Sequence, residues 1–120
     1  MAGFIKLERD IQGTWIHKDA MFFKAWCDIL FNVNWEEKTV FIGNDKYLCG
    51  VGESLNSLDT WTKIFGKGWD KSKVRRFFNR LANETLIDTQ NERKTTRLKV
   101  MFIDVSENDR HTIETQNDTN

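Results

Sequence analysis

A chain of 120 residues with 39% hydrophobic content and a mean hydropathy of −0.58 is one domain's worth of soluble globular sequence, too short to divide comfortably in two. No apolar run approaches the roughly 18 residues that cross a bilayer, and the opening MAGFIKLERD lacks a signal-peptide stretch, so the expectation is a cytoplasmic protein with no membrane partner. The formal net charge is zero, yet Trp61 to Lys99 holds six Lys and five Arg against four carboxylates, a local +7 that leaves −7 for the remainder.

In chain order, Gly3 to Ile11 carries Phe4, Ile5, Leu7 and Ile11 among charges, enough to pack on a core without deciding between helix and strand. Asp19 then offers an N-cap to a helix whose apolar positions Phe22, Trp26, Ile29, Leu30 and Val33 recur at helical spacing, with an end expected between Asn32 and Asn34. A stripe of that period reads as core rather than as a stacking platform for bases. Thr39 to Ile42 and Tyr47 to Val51 read as two short β segments around Gly43-Asn44-Asp45-Lys46. Gly50 and Gly52 loosen the chain after them.

Ser57 to Gly66 (SLDTWTKIFG) reads as a short helix with Ser57 as N-cap and Gly66 at its C-terminal end. Only Lys67-Gly68-Trp69 separates it from Asp70 to Asn83, where Val74, Phe77, Phe78 and Leu81 fall at i, i+3, i+4 and i+7 on one face. The other face is centred on Ser72, Arg76, Asn79 and Asn83 and flanked by Lys73, Arg75 and Arg80. These residue types donate hydrogen bonds to phosphates and to purine edges. Thr85 to Gln90 and Thr95 to Val105 follow as strands joined by Asn91-Glu92-Arg93-Lys94, with Leu98, Val100 and Phe102 inward and Arg97 and Lys99 outward. From Ser106 the chain has almost no apolar content and reads as a mobile polar tail.

Helix, strand, helix, recognition-type helix and basic hairpin, in that order, predict an α+β fold: a winged helix-turn-helix over residues 1–105, with about three main helices and a small antiparallel β wing. The residues also resemble a family. WDKSKVRRFFNRLANETLI, preceded by GESLNSLDTWTKIFG and followed by NERKTT, looks like the N-terminal winged-helix domain of phage replisome-organiser and DnaD-like replication proteins, over roughly Gly3 to Ile103. The resemblance implies a recognition helix over Lys71 to Leu81 and binding to origin or operator-like DNA in a bacterium or its phage. The usual family glycine between recognition helix and wing is replaced here by Asn83-Glu84-Thr85.

The predicted interface to double-stranded DNA is therefore Lys71, Ser72, Lys73, Arg75, Arg76, Asn79 and Arg80 on the helix, with Arg93, Lys94 and Arg97 on the wing. Arg76 and Asn79 are the expected base readers, and Lys73, Arg93, Lys94 and Arg97 the expected phosphate contacts. A second expectation uses the same fold to bind a host nucleic-acid-processing protein, as an inhibitor or adaptor of mobile-element origin. A homodimer on a two-fold site is compatible with either, although no heptad run marks a seam. No enzyme, cofactor or metal is expected. Ser/His/Asp and Cys/His groupings are missing, Gly66-Lys67-Gly68 is too short for a nucleotide loop, and Glu36-Glu37 reads as a solvated turn. His17 and His111 have no neighbour at ligand spacing, and Cys27 and Cys49 read as buried reduced thiols.

Overall fold

The computed structural model describes residues 4–101; the expected tail from Ser106 and the end of the strand drawn to Val105 lie outside them. From Phe4 on, the stretch to Ile11, which the sequence leaves open between helix and strand, is an irregular lead-in running into a 3-10 turn at Arg9–Gly13, and a one-turn helix α1 at Trp15–Lys18 follows that the sequence does not announce. Helix α2, Ala20–Asn32, starts where Asp19 accepts a hydrogen bond from the Met21 amide at 2.9 Å. Its expected stripe faces inward, with Trp26, Ile29, Leu30 and the following Val33 buried and Phe22 half-buried.

Strands β1 (Lys38–Ile42) and β2 (Asp45–Cys49) form a hairpin around Gly43-Asn44. The pairs Lys38–Cys49 and Val40–Tyr47 share one face and Thr39–Leu48 and Phe41–Lys46 the other, since paired residues point the same way. On that second face Phe41 is 68% and Leu48 58% exposed. This hairpin stands apart from the main sheet. The strand that pairs with the C-terminal hairpin is instead β3, Glu53–Asn56, in a stretch to which the sequence assigns no element.

Helix α3 (Leu58–Phe65) begins at Ser57, whose hydroxyl accepts from the Thr60 amide, and stops at Gly66. Gly66 has φ 95° and Gly68 φ 92°, a conformation that glycine alone enters cheaply, so the chain reverses within a few residues. Helix α4 (Lys71–Asn83) then starts at Asp70, which accepts from the Lys73 amide at 2.8 Å. Its exit is a Schellman turn. The Leu86 amide reaches the Leu81 carbonyl and the Thr85 amide the Ala82 carbonyl, both at 2.9 Å, while Thr85 takes φ 58°. Thr85 thus occupies the left-handed position that glycine usually fills.

Strands β4 (Ile87–Asn91) and β5 (Thr96–Val100) complete a three-stranded antiparallel sheet in the order β3-β5-β4, with Ile87 opposite Val100 and Glu53 opposite Lys99. The architecture is α+β, with one core. Trp26 and Trp61 are fully buried, and Leu98 and Val100 close the core from the sheet. An aromatic cluster fixes α4 against the other helices. Phe77 stacks on Phe22 at 5.3 Å, meets Trp69 at 5.3 Å and Phe65 and Trp15 at 5.9 Å, each in a geometry favourable to ring quadrupoles. Among the described residues no helix is long and apolar enough to cross a membrane.

Candidate nucleic-acid interface

With Val74, Phe77, Phe78 and Leu81 buried, α4 necessarily turns the residues between them outward. Lys71, Ser72, Arg75, Arg76, Asn79 and Arg80 are all exposed. They do not form one uniform charged surface. Arg75 and Asn79 line a cleft of about 210 Å³ together with Thr89, Asn91 and Thr96 of the wing strands. Lys73, Arg76 and Arg80 line a second cleft of about 230 Å³ on the other flank, against Trp15, Phe22 and Phe77.

The cations also differ in freedom. Arg75 and Arg76 have no hydrogen bond, ion pair or ring contact among the described residues. Arg80, by contrast, lies over the Trp15 ring at 3.9 Å, and its Nε is 4.0 Å from Glu84 Oε2. Both Glu84 oxygens accept from Trp15 Nε1, at 2.9 and 3.0 Å, so the carboxylate orients the indole beneath the guanidinium. Lys73 is half-buried, with Nζ 3.0 Å from Met21 Sδ, 3.3 Å from the Gly68 carbonyl and 4.8 Å from the centre of the Trp69 ring. Trp15 is the participant that sequence reading passes over. It belongs to no periodic stripe and reaches α4 only through the fold.

On the wing the three expected basic residues diverge. Arg93 is exposed and has no partner among the described residues. Lys94 reaches across to the β1–β2 hairpin, 3.4 Å from Asp45 Oδ2. Arg97 points to the side of β5 opposite Leu98, as its alternation predicts, but its guanidinium is engaged inside the protein rather than free. Nε donates to Glu92 at 2.8 Å, and Nη1 donates to Glu53 at 2.7 Å and to the Leu48 carbonyl at 2.8 Å. The bond to Glu92, and after it the pairing with Glu53, hold the guanidinium pKa above its ordinary value against the opposing effect of burial. Arg97 thereby ties together the wing, β3 and the β1–β2 hairpin.

Among the described residues no group of three His, Cys, Asp or Glu is placed to hold a metal ion. Cys27 is half-buried and Cys49 buried, and both are free thiols. Burial raises both pKa values, with Asp28 adding to the effect at Cys27 and Glu53 at Cys49. Compared with protein-family models, curated proteins and solved structures, the chain matches none.

Proposed function

We propose that this chain is a winged-helix protein that binds duplex DNA by laying α4 in the major groove. The order α2, β3, α3, α4, β4, β5, interrupted by the separate β1–β2 hairpin between α2 and β3, with sheet order β3-β5-β4, supports the winged-helix reading. The observation that carries the functional reading is the outward face of α4, where Arg75, Arg76 and Asn79 are exposed and the two arginines have no partner among the described residues. Arginine donates bidentately to guanine and asparagine to adenine, and a groove about 12 Å wide admits a helix carrying both. Arg93 extends beyond the Asn91–Thr96 end of the wing and supplies a flanking phosphate contact. The resemblance to replisome-organiser domains suggests replication initiation or its control in a phage or other mobile element as the setting.

Fluorescence anisotropy with a mixed-sequence duplex across salt concentrations tests this reading. Affinity falling linearly in log–log form with salt, and lost on Arg75→Ala with Arg76→Ala, is the expected result. No binding at low salt would favour a second reading, an adaptor or inhibitor that docks on a host nucleic-acid-processing protein. That reading draws on the solvent-facing Phe41 and Leu48 of the β1–β2 hairpin, apolar side chains that a protein partner would cover.

A further inference from the structure

Lys73, Arg76 and Arg80 stand at i, i+3 and i+7, one ridge of α4, and all three line the cleft walled by Trp15, Phe22 and Phe77. Among the described residues no carboxylate lines this cleft. Glu84 has both oxygens turned to the Trp15 indole N–H, and one stands 4.0 Å from Arg80 Nε. The rings are occupied with one another. Phe22 stacks on Phe77 with an interplanar angle of 9°, Trp15 meets both edge to face, and Arg80 lies over Trp15. The cleft therefore offers an incoming anion three cationic side chains on one ridge against an aromatic wall. Two of the three cations are held beside it by ring contacts, Arg80 on Trp15 and Lys73 on Trp69, and Arg76 is free to close on the ligand.

We infer that this cleft seats a single backbone phosphate of duplex DNA, held jointly by Lys73, Arg76 and Arg80 with Trp15 as its wall. The inference rests on the DNA-binding reading above and adds a strand contact on the flank of α4 away from the wing. A helix in the major groove lies between two phosphate backbones. On this assignment the wing side meets one strand and the aromatic cleft meets the other.

The test is the salt dependence of duplex binding for wild type and for the triple variant Lys73→Gln, Arg76→Gln, Arg80→Gln. The slope counts phosphates neutralised, not cations supplied, so three side chains sharing one phosphate remove about 0.9 from it, against about 2.7 for three separate contacts. A loss near the smaller figure, with weaker binding to every sequence alike, is the expected result. An unchanged slope and affinity, or a loss near the larger figure, overturns the shared seat while leaving DNA binding in place. Absence of wild-type binding at low salt instead overturns the DNA-binding reading and this inference with it. Should the triple variant fail to melt cooperatively, the pair Lys73→Gln, Arg76→Gln keeps the Arg80–Trp15 stack and answers the same question. Several-fold weaker binding with a slope loss no greater than about 0.9 supports the seat; unchanged affinity, or a loss near 1.8, overturns it.

Discussion

Arg97 Nη1 lies 2.7 Å from Glu53 Oε1 although the two residues are not opposite one another in the β3–β5 ladder, where Arg97 faces Leu55 and Glu53 faces Lys99. The guanidinium crosses diagonally, and with Glu92 and the Leu48 carbonyl it satisfies three acceptors drawn from two strands, β2 and β3, and the loop after β4. Both flanking carboxylates are only about 20% exposed. Arg97→Met strands them and is expected to cost about 1 to 3 kcal/mol, seen as a lower urea midpoint. Arg97→Lys should recover only part of this, because one ammonium cannot reach all three acceptors in their fixed geometry. Below its melting range the Met variant should retain the wild-type salt slope for duplex binding.

Arg75, Arg76 and Asn79 lead to the opposite pattern. Truncating Arg75 or Asn79 to Ala should cost about 1 to 3 kcal/mol of binding to a preferred site and relax specificity there, whereas Arg76→Ala should weaken binding to every sequence alike. Thermal stability should move by less than about 0.5 kcal/mol, since no side chain inside the protein relies on these groups. Binding isotherms and melting curves on the same preparations separate the two effects.

Thr85 holds φ 58° at the Schellman turn between α4 and the wing. A β-branched residue there carries a steric cost of roughly 1 to 2 kcal/mol, partly offset by its lower entropy in the unfolded chain. Thr85→Gly is therefore expected to stabilise by about 0.5 to 1 kcal/mol, read from the denaturation midpoint.

Trp61 is fully buried with its indole N–H lacking a hydrogen-bond partner among the described residues. Replacement by Phe removes that unsatisfied donor but leaves a small void, and the two effects oppose. Trp61→Phe should change stability by no more than about 1 kcal/mol in either direction, whereas Trp61→Ala should cost about 3 to 5 kcal/mol. Chemical denaturation of the two variants gives the comparison.

Burial raises the Cys49 pKa, with Glu53 adding to it, so the folded protein keeps the thiol proton to a higher pH than the unfolded chain does. The stability this provides is complete below the ordinary thiol pKa and is lost as pH rises through the folded value. Urea melts at pH 7 and pH 10 should show a smaller alkaline decline in Cys49→Ala than in wild type. Native Cys49 should also resist alkylation near neutral pH.

Helices α2, α3 and α4 were legible because their signals are local, whereas the single turn α1 was not. Asp19, Ser57 and Asp70 each cap the helix they precede, and the spacing of Val74, Phe77, Phe78 and Leu81 fixes which side of α4 is buried. β3 was not legible. Four residues, ESLN, carry no alternation strong enough to announce a strand, and its partner β5 lies far along the chain. The same distance hid the candidate site's finer structure. That Arg97 is consumed by Glu53, 44 residues away, and that Trp15 underlies Arg80, follow only from tertiary packing. Charge counting found the basic surface but could not tell engaged cations from free ones.

Phe77 meets rings from α1, α2, α3 and the α3–α4 turn: Trp15, Phe22, Phe65 and Trp69. Rolling α4 about its own axis by a single residue, about 100°, would withdraw that ring from all four neighbours. The azimuth of the outward arginines is thus set from behind, by the packing of rings from four separate segments. Docking then has little backbone freedom left to remove, and the ordering cost falls on the arginine side chains themselves, about 0.5 to 1.5 kcal/mol for each one immobilised. A substitution at Phe77 would therefore loosen the aim of every outward arginine at once.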